Sequence, residues 1–516
     1  MSNDRPPASQ RLSGADAAFL YLERNEIPLH IACVAVFDGA IPYHEFVAAI
    51  DSKLHLIPRY RQIAVAPPLN IGYPTWQWDP DFDIHRHIFK VRLEPPGGEA
   101  ELEALAGRIL TPLMDRSKPL WDIHVVEGLK GGRSALIPRV HHSLADGISG
   151  ASLLKIMLDP TPEGSPPVRK PRYRPPRLPS VNESLTEALT NAVHSTLENL
   201  LAAEACVLDL AQNLATDRMQ DALQGLTGLL PELAASVERL PFNRPCTGQR
   251  RFCWTECDFD EVQAIRKAVG TTINDVILTV VTRAIARYVE LHGQGTAHRF
   301  VRMVCPFSLR RDDERESLGN QISFLPVALP LDIEDPIELL QAVAKRTAIM
   351  KGSRAAELVS LAASWLGAAP PPLQALFWQA IPMVPLPMPL LNMICSNVPG
   401  SPTPLYCAGK RMIASYPQVP TGYELGIGCA AQSYNGKIFF GLISDSHAAP
   451  DADRLRDFIR ESFNSLARAA GLRKRRTPKR QARRRRAEPA AMPDQAAGSA
   501  APPAEPPVEP PVRSVA

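Results

Sequence analysis

Apolar residues along the first 158 positions switch repeatedly between two spacings. GADAAFLYLER (14–24) and PYHEFVAAIDSKL (42–54) place them at helical intervals, whereas HIACVAVFDG (30–39) between them reads as a strand. SALIPRVHH (134–142) predicts a further strand and GISGASLLKIML (147–158) a helix. Such interleaving predicts an α/β or mixed α+β unit over residues 1–158. Residues 159–180 hold eight prolines and predict an extended, stiff linker. Over 181–249 strand patterns vanish, and two or three helices are expected between 181 and 240. Their apolar stripes either pack on neighbouring units or meet a lipid surface. A second mixed region, 250–470, contains strand-like RFVRMVCPFSL and KIFFGLISD and the helical DADRLRDFIRESFNSLARAAG. Residues 471–516 have little to bury and are expected to be disordered.

Composition narrows the class. A chain of 516 residues exceeds one ordinary core and suggests two or three folded units of about 150 residues. With 45% hydrophobic and 22% charged residues it reads as a soluble globular protein. The formal charge of +3 hides an uneven distribution. RKRRTPKRQARRRR (473–486) carries ten Lys and Arg, so the rest of the chain is mildly acidic. Nucleic acid is not an expected partner, because no aromatic residues interleave with that basic run. Two readings of the run remain: a solvated charge cluster, or a contact with anionic lipid headgroups worth about 1 kcal/mol per basic residue. Nine cysteines show no paired spacing, and CWTEC (253–257) lacks partners for a zinc site, which suggests reduced cytosolic thiols. MSNDRPPASQ lacks the plan of a secretion signal, and AIPMVPLPMPLLNMICSNVPG is broken by five prolines. No membrane span is expected.

The candidate chemistry lies in HHSLADG, residues 141–147. Successive strand residues face opposite ways, so one of His141 and His142 can meet a cleft while the other packs inside. A neutral imidazole is the natural general base at neutral pH. Asp146 either steadies the ring or caps the following helix and pairs with an arginine. Gly147 permits a conformation or a close approach that a Cβ would block. Spacing alone leaves both catalysis and a purely structural turn open.

HHSLADG resembles the HHxxxDG motif of the CoA-dependent acyltransferases and of peptide-synthetase condensation domains. Further segments resemble the bacterial wax ester synthase/diacylglycerol acyltransferases in that family's order. They are LSGADAAFLYLERNEIPLHIACVAVFDG, KPLWDIHVVEGL, TTINDVILTVV, CPFSLR with LGNQISFLPVALP, SNVPGSPTPLYCAGKRM and SYNGKIFFGLISD, and they cover roughly residues 11–465. The resemblance implies an α/β fold of two chloramphenicol-acetyltransferase-like halves with a substrate tunnel between them. It implies an acyl-CoA-dependent O-acyltransferase esterifying diacylglycerol or a long-chain alcohol. His142 would be the base, His141, Asp146 and Gly147 would support it, and no covalent acyl-enzyme or cofactor would be needed. It also suggests a cytoplasmic protein attached peripherally to the inner membrane face or to lipid droplets, with the 473–486 run as one possible contact. A carrier-protein-dependent or condensation-type enzyme of the same superfamily, and a non-catalytic lipid-binding relative, are the alternatives.

Other matched residues carry two readings each. Pro119, Leu120 and Trp121 of the family's PLW motif line the tunnel or pack a core. In TTIND, Thr272 and Asp275 have the spacing of a capping box. Asn274 would then sit in the first helical turn, where its amide can contact substrate or oxyanion, and the resemblance sets Asp275 beside the tunnel too. Asn397, Pro399 and Gly400 of NVPG form a turn or a loop flanking the tunnel. Two positions depart from the family pattern: Arg283 where glycine is usual, and Gly426 where asparagine is common.

Overall fold

Local capping chemistry starts the first elements. After β1 (Ser9–Arg11), the Ser13 hydroxyl accepts from the Asp16 amide at 3.0 Å and opens α1 (Gly14–Leu22). There follow β2 (His30–Phe37), α2 (Tyr43–Lys53), β3 (Gln62–Val65), β4 (Thr75–Trp78), β5 (Ile88–Arg92), α3 (Glu99–Ile109), β6 (Trp121–Leu129) and β7 (Arg133–His141). The structure is a computed structural model that describes residues 9–144, 156–164, 181–214, 237–308, 322–352, 369–383 and 389–472. Most of the proline linker, Asp146, Gly147 and the 473–486 run lie outside the described residues.

β2, β7, β6 and β5 stand side by side, with β5 and β6 parallel and the other pairs antiparallel. β7 is buried along all but its first residue, which explains its nearly unbroken apolar sequence. Its pairing with β2 lapses at Cys33 and Val34, opposite Ile137 and Pro138, where the proline has no N–H to give. Next to that gap, Arg139 makes a bidentate pair with its cross-strand neighbour Asp122 at 2.9 and 2.6 Å.

Residues 181–214 form one helix of 34 residues, α4 (Val181–Leu214), and residues 215–236 lie outside the described set. Leu189, Val193, Leu197, Leu200 and Leu201 of α4 are exposed.

The second half runs β8 (Arg250–Asp258), α5 (Phe259–Val269), α6 (Ile273–Leu291), β9 (Phe300–Ser308), β10 (Ile322–Pro330), α7 (Pro336–Gly352), α8 (Pro371–Ala380), β11 (Met393–Val398), β12 (Tyr406–Cys407), β13 (Lys410–Gln418), β14 (Ile427–Tyr434), β15 (Lys437–Asp445) and α9 (Ala452–Ala469). Its sheet has the order β10-β9-β11-β14-β15-β8. Each half thus carries a six-stranded mixed sheet flanked by helices, the two-half architecture that the sequence suggested.

Residues 250–470 do not all fold into the second half. β12 and β13 leave it and extend the first sheet, to give the order β12-β13-β2-β7-β6-β5. The reason is packing across the seam. Tyr416 of β13 stacks on Trp254 with ring centroids 4.7 Å apart, and the Tyr434 hydroxyl donates to the Met412 carbonyl at 2.9 Å. Gly441 is needed there, since a Cβ would lie 1.9 Å from the Pro417 carbonyl oxygen. Arg250 fastens the same seam. It meets buried Asp445 at 3.3 Å and donates to the carbonyls of Thr421 at 2.6 Å and Glu26 at 3.0 Å. Among the described residues no single helix is long and apolar enough to cross a membrane. α5 and α6 together reach that length only across a 100° bend, and apolar side chains of α6 belong to the core.

Candidate active site

β7 ends at His141, and His142 opens a single 3-10 turn, so the two rings part company. Backbone bonds hold the turn on both sides. The His141 amide donates to the Leu120 carbonyl at 3.0 Å and the His142 amide to the Leu29 carbonyl at 2.8 Å.

His141 is fully buried. Its Nδ1 accepts from the Ser143 amide at 3.1 Å and lies 2.7 Å from the Ser143 hydroxyl. That leaves the proton on Nε2, which lies 3.2 Å from Glu23 Oε1 but off the axis of a good hydrogen bond. Glu23 is itself sealed, with a side chain 0% exposed. It accepts from the Leu29 amide at 3.1 Å and from Arg116 at 3.0 Å. Burial alone would raise its carboxyl, but His141, the Leu29 amide and Arg116 outweigh burial and hold it at about 2. His30, the cross-strand partner of His141, is pushed down to about 3, chiefly by burial and then by Arg139. His141 is therefore a positioned, inaccessible ring.

His142 differs. It is half-buried, and its ring lies flat against Phe19 of α1 with centroids 3.9 Å apart and planes 18° apart. Burial pushes its imidazole down to about 4, opposed by a ring hydrogen bond to its own carbonyl and reinforced by His141. The ring is thus neutral at neutral pH and able to accept a proton. The opposite side of α1 faces the second half, where Ala17 and Tyr21 pack with Ala375 and Trp378 of α8.

Of the two readings of the PLW segment, the structure supports packing in the core. Its backbone touches the histidine turn through Leu120, but Pro119 is buried, and Leu120 and Trp121 are each 1% exposed within the first core. The Trp121 indole donates to the Tyr60 carbonyl at 2.8 Å and its ring stacks on His87 at 4.5 Å, so both its polar and apolar parts are used in packing.

Asp275 is likewise committed to the fold rather than to a tunnel wall. Its Oδ2 accepts from the Thr272 amide at 2.9 Å and hydroxyl at 2.7 Å, completing the capping box, and its Oδ1 accepts from Thr347 of α7 at 2.7 Å. Asn274 beside it is half-buried, and its Nδ2 has no hydrogen-bond partner among the described residues. In NVPG, Asn397 is half-buried and Pro399 exposed. Gly400 packs on β14, where a Cβ would lie 2.1 Å from the Ser433 carbonyl oxygen. None of Asn274, Asn397, Pro399 and Gly400 shares a hydrogen bond with the histidine turn among the described residues.

Reading the sequence missed Glu23, Phe19, Ser143 and Arg116. Glu23 did leave a signal. It is an acid just past the C-terminal end of a helix, where the helix dipole disfavours negative charge.

Comparison with known proteins decides the family. The profile of the wax ester synthase/diacylglycerol acyltransferase catalytic domain matches residues 12–277, and that family's C-terminal domain matches residues 318–467. The chain belongs to the wax ester synthase/diacylglycerol acyltransferase family. Two Mycobacterium tuberculosis proteins bearing the name diacylglycerol O-acyltransferase are each 30% identical to this acyltransferase. One aligns over 89% of this chain and 90% of its own length, the other over 89% and 98%. The family's fold also appears in the wax ester synthase/diacylglycerol acyltransferase of Marinobacter aquaeolei VT8. That structure matches at a TM-score of 0.61 and 23% identity, covering 90% of this acyltransferase and all of that chain. The starter condensation domain of rhizomide synthetase matches at 0.53 and 15% identity, over 90% of this chain and 96% of its own. Its likeness extends the shared fold to the condensation domains.

Proposed function

We propose that this acyltransferase moves a long acyl chain from acyl-CoA to the hydroxyl of diacylglycerol, and also to long-chain alcohols, with His142 as general base. One observation carries the reading. Of the two histidines, His142 alone is partly open, and its ring is neutral at neutral pH. The acceptor hydroxyl gives its proton to the His142 imidazole while its oxygen attacks the thioester carbonyl. The tetrahedral oxyanion collapses by breaking the C–S bond, and the departing CoA thiolate takes the proton back from the imidazolium. No bond to the protein forms and no cofactor enters. The unpartnered Asn274 amide supports an oxyanion or substrate contact at that residue. Asp146 and Gly147 are assigned to shaping the turn. Peripheral contact with a cytoplasmic membrane face or lipid droplet is supported by the exposed apolar side chains of α4 and by Leu376 and Phe377 of α8.

The test supplies purified protein with palmitoyl-CoA and either diolein or hexadecanol, reading CoA release with a thiol dye and ester by thin-layer chromatography. Ester formation is expected with diolein, and the same assay reads hexadecanol. His142→Gln is expected to slow transfer by about 10²–10⁴-fold without unfolding the chain. No ester from either acceptor would refute the activity; a His142→Gln chain as fast as the parent would refute the base.

A further inference from the structure

A cleft of about 480 Å³ lies between α6, α9 and the start of α7, and it shares no residue with the histidine turn. Arg283 and Arg287, one helical turn apart on α6, line one wall; Glu461, Ser462 and Arg468 of α9 line the other.

The two walls are unevenly satisfied. Arg287 is paired, 2.6 Å from Glu461, and its guanidinium lies 4.4 Å over the Phe458 ring. Among the described residues Arg283 makes a single long ion pair, 3.9 Å, to the exposed Glu290, and its Nη1 is buried without a hydrogen-bond acceptor. Ser462 is 4% exposed, and its hydroxyl also has no hydrogen-bond partner among the described residues. A buried donor left unsatisfied costs about 1–3 kcal/mol, and more when charged. The guanidinium can only donate, and the hydroxyl can donate as well as accept, so a single acceptor in the cleft would satisfy both. A guanidinium selects a negative one, and its planar fork matches the paired oxygens of an oxyanion. The cleft also far exceeds the roughly 30 Å³ share of one water molecule. Arg468, exposed on the same cleft, adds a further positive charge, and that favours a dianionic phosphoryl group over a carboxylate. Glu334 on the third side sets an upper limit on the ligand's charge.

We propose that this cleft binds a phosphoryl group, with Arg283 as its charge partner and the Ser462 hydroxyl as a second donor. Inorganic phosphate and the phosphate monoester of a nucleotide present the same chemistry. Calorimetry on the full chain therefore uses inorganic phosphate in one arm and adenosine 3′,5′-bisphosphate in the other. Binding in either arm is expected to weaken by roughly tenfold or more in Arg283→Gln and several-fold in Ser462→Ala. The thermal midpoint of the parent rises with ligand while that of Arg283→Gln does not. Tighter binding of the bisphosphate identifies a nucleotide, and equal binding identifies free phosphate. Acyl transfer without added phosphate is expected to be unchanged in Ser462→Ala, a substitution small enough to preserve α9. Failure of both probes to bind the parent, or binding that is equal in the parent and both variants, overturns the proposal.

Discussion

Replacing Glu23 by glutamine separates a positioned histidine turn from one that merely packs. The substitution keeps the shape and removes a charge from a side chain with no solvent exposure. The parent carboxyl is held at about 2 instead of 4.5. Each pH unit of that depression corresponds to about 1.4 kcal/mol, so the charged form contributes about 3 kcal/mol of stability at neutral pH. The sign follows from the depression. The contribution is complete above pH 4.5 and is lost as pH falls through about 2. A glutamine oxygen at the Oε1 position can still accept from the Leu29 amide, but its NH₂ then takes the Oε2 position, faces the Arg116 donor and leaves it unsatisfied. Urea unfolding at pH 7 is expected to show Glu23→Gln less stable by about 2–4 kcal/mol, with the gap narrowing as pH drops below 4.5. Because Glu23 and Ser143 together orient His141, and the turn sets His142, kcat is expected to fall roughly tenfold or more. A variant within about 1 kcal/mol of the parent and with parental turnover would refute the reasoning.

Three further outcomes follow from the geometry. With His142 held at about 4, the neutral base persists well below its ordinary range. The acid limb of kcat/KM is therefore expected near pH 4, and a limb at 6.5 or above would contradict the burial argument. Trp121→Ala is expected to cost about 3–5 kcal/mol in urea unfolding while leaving the acyl chain-length preference unchanged; an altered preference without loss of stability would return Trp121 to the tunnel wall. Gly426→Asn puts a Cβ 2.2 Å from the Phe242 carbonyl oxygen, well inside van der Waals contact. It is expected to lower stability by about 1–3 kcal/mol or more, and a parental thermal midpoint would show that the loop yields freely.

What the chain determined by itself is what acts over three or four residues. The Thr272–Asp275 box announces a helix start because a side chain and an amide three positions apart meet at the start of any helix. The alternation of spacings announces the strands, and HHSLADG marks the turn at the end of one. Tertiary structure decided the rest, because it depends on partners far apart in the chain. Glu23 and His141 meet only once α1 and β7 are packed together. Trp121 faces the core rather than a passage because His87 and Tyr60 supply its stacking partner and its acceptor. β13 crosses into the other half because Gly441 lets the Pro417 backbone approach. The family resemblance that marked His142 as a base does not set how readily it takes a proton. That is decided by the depth at which Phe19 and the surrounding fold hold the ring, since desolvation acts through whatever packs around a group in space.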